Sequence, residues 1–112
     1  MFRLGRFAFM NFFRDKFGRK IRLTDERLQH ITGDHPELLK PVGKIEETLI
    51  FPSAVLKSED DPYVWLYYRP YRIFPKQRSF LLVVVKISDG EGFVITAFYV
   101  KNVQKGESVW KA

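Results

Sequence analysis

The chain has 112 residues, enough for one hydrophobic core and too few for two domains. Apolar residues make up 46% and include eleven Phe, which excludes a disordered tail; the absence of cysteine excludes disulfides, thiolate zinc sites and cysteine nucleophiles, and fits a reducing cytoplasm. The net charge of +6 lies wholly in residues 1–22, where seven Arg and Lys face one acid, Asp15, while the chain from Leu23 onward balances twelve basic residues against twelve acidic ones.

That distribution divides the chain into a basic, Phe- and Arg-rich arm over residues 1–19 and a single domain over 20–112. Such an arm attracts polyanions: RNA, DNA or an anionic lipid surface. No uninterrupted apolar run spans it, so neither a secretory leader nor stable membrane insertion is expected. Phe9, Phe12, Phe13 and Phe17 follow helical spacing, with Arg6, Arg14 and Lys16 completing a basic amphipathic pattern. The pattern fits a helix packed on the domain, a helix lying on a membrane surface, or a poorly ordered arm.

Lys20–Leu23 reads as a short extended stretch. Thr24 then reads as an N-cap, because Asp25 and Glu26 fill the first turn, where acids favour the helix dipole. The helix is expected over 25–32, stopping at Gly33, with Leu28 and Ile31 inward. Pro36 suits the first position of another short helical turn, capped by Asp34 or His35. A further helix is expected over 42–50 with Val42, Ile45 and Leu49 on one face, ended by Phe51-Pro52.

The second half switches to a period of two. Strands are expected over 53–58, 63–69, 79–88 and 93–101, with a short edge strand in "GESVW" and a basic loop in "PYRIFPKQR" containing Arg72. The order predicts an α+β fold, with N-terminal helices on one face of a four-stranded antiparallel sheet. Val64, Leu66 and Tyr68 make the more apolar row, so Tyr63, Trp65, Tyr67 and Arg69 are expected on the open face, where Trp65 and Tyr67 would stack bases. An even "DGEG" connection pairs Lys86 with Ile95 and Leu82 with Tyr99, placing Lys86 and Tyr99 on one face. A one-residue slip would bring Thr96 there instead.

Both histidines lie in "RLQHITGDHPELL". Two His across a helix break, with no Cys and no HExxH spacing, make a weak metal set, so no metal or other cofactor is expected. Metal-free RNA cleavage needs a base for the 2′-hydroxyl, an acid for the 5′-oxygen and cations for the phosphorane. His30 fits the acid/base role, one turn beyond Glu26 and Arg27, while His35 before Pro36 fits a helix corner. Each also reads as an ordinary residue at a helix boundary.

"RLTDERLQHITGDHPEL", "IEETLIFPSAVLKS", the strand ending "WLYYR", "LLVVVK" and "VITAFYVK" together resemble a phage and prophage group of the barnase–EndoU–colicin–RelE (BECR) nuclease superfamily, over about residues 20–110. The resemblance implies a RelE-like arrangement and metal-independent RNA cleavage on the sheet face away from the helices. It also implies a role as a toxin paired with an antitoxin protein, or as a phage-encoded nuclease, with mRNA or tRNA as substrate. By position it nominates His30, Arg69, Lys86, Thr96 and Tyr99, with His35 matching the pattern as a catalytic or structural residue. The Phe- and Arg-rich arm is no part of the resemblance.

Overall fold

The computed structural model describes residues 10–35, 41–74 and 77–112. Its elements are β1 (Met10–Arg14), β2 (Lys20–Thr24), α1 (Asp25–Asp34), α2 (Pro41–Ile50), β3 (Ala54–Lys57), β4 (Val64–Phe74), β5 (Gln77–Ser88), β6 (Glu91–Val100) and β7 (Glu107–Lys111). All seven strands form one sheet in the order β1-β2-β6-β5-β4-β3-β7, antiparallel except where β2 runs parallel to β6.

The α+β composition is present, but the expected four-stranded antiparallel sheet behind N-terminal helices is not. A β-hairpin precedes the helices, and the sheet is mixed and seven-stranded. Residues 10–14, expected in an amphipathic helix or a poorly ordered arm, are strand β1, with Phe13 opposite Ile21 and Phe12 opposite Arg22. The loop at 15–19 explains why. Asp15 Oδ1 accepts from the backbone N–H groups of Phe17 and Arg19, and Gly18 turns the chain at φ 85°. Lys16 N–H donates to the Leu49 carbonyl, which pins this loop to the end of α2. Residues 1–9 lie outside the described residues, as does the turn expected around Pro36.

β2 joins β6 through only two pairs, Ile21 with Gly92 and Arg22 with Phe93. The close approach requires glycine: a Cβ at Gly92 would meet Ile21 Cδ1 and Val85 Cγ1 at 2.8 Å. The chain then turns into α1, where Thr24 Oγ1 accepts from the Arg27 N–H at 3.1 Å, as an N-cap should. The helix runs two residues further than expected, to Asp34, and His35 N–H donates to the Ile31 carbonyl.

Both helices pack on one face of the sheet over Phe13, Ile21, Leu23, Ile31, Ile45, Leu49, Val55, Tyr67, Leu81, Val83 and Val85. The expected orientation of β4 is reversed. Trp65, Tyr67 and Arg69 lie on the helix face, and Val64, Leu66 and Tyr68 join a second apolar cluster on the other face with Ala54, Leu56 and Leu82. Apolarity alone could not separate two rows that each carry aromatics. The polar ends decide it, because Tyr67 donates to the buried Asp15 carboxylate, which Arg19 also binds. Tyr68 instead meets the chain at 104, whose N–H donates to its hydroxyl.

The expected loop at 70–78 is mostly strand: β4 and β5 remain paired to Phe74 and Gln77, and Arg72 lies opposite Arg78. Pro70 is tolerated because β3 pairs with β4 only as far as Tyr68, leaving the rest an edge. The last hairpin turns at Asp89-Gly90, both with positive φ (54° and 79°), so Ser88 lies opposite Glu91 and Lys86 opposite Phe93. This differs from the expected pairing of Lys86 with Ile95 and Leu82 with Tyr99. A β-bulge between Val84 and Val85 shifts the register again, giving Val84 with Thr96, Leu82 with Phe98 and Leu81 with Tyr99.

Candidate functional site on the open sheet face

The register divides the nominated residues between two faces. Lys86 and Thr96 share the face away from the helices, whereas Arg69 and Tyr99 pair with Leu81 from either side on the helix face. His30 joins neither group. It is exposed on α1, and the depression beside it is lined by Glu26, Gln29, Gly33 and Asp34, all from the same helix.

On the helix face, Arg69 Nη1 donates to the Phe51 carbonyl at 2.7 Å, and its buried Nε lies 3.6 Å from Glu47 Oε1. The Tyr71 hydroxyl donates to the same Glu47 carboxylate, and Lys44 Nζ donates to the Tyr99 hydroxyl at 3.4 Å. Burial first, and then the bond to Glu47, push the Tyr71 hydroxyl up to about 12. These bonds close α2 onto β4 and β6, which reads as docking of the helix. Tyr67 is fully buried, and burial followed by its bond to Asp15 raises its pKa, so it cannot stack a base. Trp65 is packed against the core on the helix face, with the Arg19 guanidinium 3.9 Å from its ring centre and Phe17 edge-on at 5.8 Å.

The open face is built differently. One cross-strand row runs Phe12, Arg22, Phe93, Lys86, Val64 over β1, β2, β6, β5 and β4, alternating aromatic and cationic side chains. Phe12 is 52% and Phe93 37% exposed. Lys20 Nζ stands 4.3 Å from the Phe12 ring centre and the Arg22 guanidinium 5.6 Å from that of Phe93, within cation–π range. In the next rows on the same face come Thr96 and then Phe98. The imidazole of His35 stacks on Phe98, with ring centres 5.2 Å apart and planes 21° apart.

His35 gets there because β2 leaves β6 after Phe93, so that α1 runs beside β6 and its C-terminal cap reaches the sheet. The histidine that the sequence suggests for the corner is therefore the one that stacks on Phe98, on the face that also bears Thr96. Lys86 Nζ bonds Asp61 Oδ2 at 2.6 Å, and its other near neighbour is the Tyr63 ring at 5.9 Å. That hydrogen bond is the main cause holding the Asp61 carboxyl below its ordinary value, with the Tyr63 N–H adding to it.

Three depressions of about 210, 250 and 300 Å³ adjoin Arg22, lined variously by Phe12, Lys20, Thr24, Arg27, Glu91 and Phe93. At or below the size of enclosed small-molecule sites, they suit an extended ligand lying along the face. Sequence reading missed Lys20, Arg22, Phe12 and Phe93 as site residues. The signal for the first three was the turn-forming "RDKFGRK" between alternating segments, and for Phe93 the Asp-Gly hairpin that sets its register. No helix among the described residues is long and apolar enough to cross a membrane. Compared with protein-family models, curated proteins and solved structures, the chain has no match.

Proposed function

We propose that the chain is a metal-independent endoribonuclease whose working surface is the open sheet face. The observation that carries this reading is the stacking of His35 on Phe98, beside Thr96 and on the face that bears Lys86 and Arg22. In the proposed reaction a base takes the proton of an RNA 2′-hydroxyl, whose oxygen attacks the adjacent phosphorus. The P–O5′ bond breaks, an acid protonates the leaving 5′-oxygen, and a 2′,3′-cyclic phosphate remains. His35 supplies one proton transfer, Thr96 hydrogen-bonds a phosphoryl oxygen, and Arg22, joined by Lys86 once it leaves Asp61, balances the charge of the phosphorane.

The resemblance of residues 20–110 to the BECR nucleases also supports this chemistry, although their four-stranded arrangement is not found here. As a toxin, such an enzyme would act in the cytoplasm on mRNA or tRNA, and an antitoxin would be its protein partner. The test is incubation of mixed RNA, tRNA included, with purified protein in EDTA. Cleavage leaving 2′,3′-cyclic ends supports the reading; intact RNA after long incubation contradicts it.

A second reading, a binding module without turnover, is favoured by the engagement of Lys86 with Asp61 and of Arg69 with Glu47 and Phe51. Salt-sensitive RNA binding with no cleavage would establish it.

A further inference from the structure

We propose that the β1–β2 hairpin and the start of β6 form a subsite for single-stranded nucleic acid, in which Phe12 and Phe93 stack successive bases and Lys20, Arg22 and Arg27 hold phosphates. The subsite deepens the proposed function and rests on its reading of the open face as the RNA-binding face. It lies to one side of His35 and Thr96, and of its strands β1 falls in the stretch that the sequence assigns to an arm.

Four observations carry it. Phe12 and Phe93 are both exposed, and they stand two strands apart in one cross-strand row with Arg22 between them. Adjacent strands lie about 4.8 Å apart, so the backbones that carry the two rings are separated by about 10 Å, room for neighbouring unstacked nucleotides. The cations alternate with the rings, as single-strand binding surfaces require. Among the described residues neither Lys20, Arg22 nor Arg27 has an ion pair, unlike Lys86 with Asp61 and Arg19 with Asp15.

Glu91 and Asp89 are acids at this surface: both line one depression with Arg22, and Glu91 lines a second with Arg22 and Lys20. These acids give the subsite a direction: Arg22 and Arg27, toward Thr24, hold phosphate more strongly than Lys20, which shares its depression with Glu91. A duplex fits poorly, because its bases are paired and stacked and offer the rings no free face.

The experiment is fluorescence polarisation with a labelled 2′-O-methyl oligouridine 12-mer, which cannot be cut. DNA of the same length and an RNA duplex serve as the other arms. Phe12→Ala, Phe93→Ala and Arg22→Gln are each expected to weaken single-strand binding about tenfold, in line with losses seen on removing one stacked base. Arg22→Gln should also lower the salt slope by about 0.7, and Glu91→Gln should tighten binding. All the altered side chains are exposed, and an unchanged melting temperature will show that the fold is intact. Wild-type affinity in both Phe variants, or equal affinity for duplex and single strand, overturns the subsite. The two proposals fail separately. Tight, Phe-dependent binding without cleavage of natural RNA supports the subsite and removes the nuclease, while cleavage with all variants at wild-type affinity does the reverse.

Discussion

Lys86 cannot serve a phosphate while Asp61 holds it at 2.6 Å. Both side chains are about one-third exposed, so the pair adds little stability, and its importance is to occupancy of the open face. Asp61→Asn is therefore expected to raise RNA affinity severalfold at low salt, measured by polarisation; unchanged affinity would mean that Lys86 is not a phosphate ligand. The sign of the pH effect follows from the depressed carboxyl. Its small stabilising contribution is present above the ordinary value of 3.8 and is lost as pH falls below it, so Asp61→Asn should be slightly less acid-sensitive. Tyr71 behaves oppositely. Its hydroxyl is raised, so the stability it contributes is complete below pH 10.0 and is lost as pH rises to about 12. Denaturant midpoints should fall over that window, and less steeply in Tyr71→Phe. Tyr67→Phe removes one of the bonds to the buried Asp15 carboxylate and is expected to destabilise by about 1–3 kcal/mol, read from chemical denaturation. None of these partners was legible in the sequence, because each joins residues dozens of positions apart.

At the scale of elements, local chemistry was the legible part. Thr24 caps α1 as its neighbours Asp25 and Glu26 suggest, α2 buries Ile45 and Leu49, and strands β3 to β6 occur at the four places where alternation puts them, with β4 and β5 running on into the expected loop. β1 was misread because phenylalanines at helical spacing over 9–17 also satisfy a strand once Asp15 and Gly18 close a turn. Which face a strand presents was beyond local reading. In β6 one bulge exchanges Thr96 and Tyr99 between faces, and a single-residue slip has no strong sequence signature. The hairpin's junction with β6 has a close approach at Gly92. Gly92→Ala would push against Ile21 and Val85 and is expected to destabilise by about 1–3 kcal/mol, measured by thermal or urea unfolding. If it is neutral, the β2–β6 junction is looser than described.

For the whole molecule, the consequence is how the sheet is used. Its helix face is filled by core and by paired polar groups, while its open face carries an apolar cluster at one side and alternating rings and cations at the other. The basic excess of the first twenty-two residues is thus partly built into the sheet, through Lys20 and Arg22. The nominated set was partly legible: Lys86 and Thr96 share the open face, but Arg69 and Tyr99 do not, because register separates them. Under the proposed function the histidines exchange roles, and the reason is chain path. His30 points from α1 among residues of its own helix, and His35 is carried by the helix end to Phe98. The most direct measurement is RNA cleavage in EDTA by wild type, His35→Ala and His30→Ala. The account predicts a loss of at least about 100-fold in His35→Ala, the usual minimum for removing a general acid or base, and near wild-type rates in His30→Ala. Full activity in His35→Ala, with loss in His30→Ala, would contradict it.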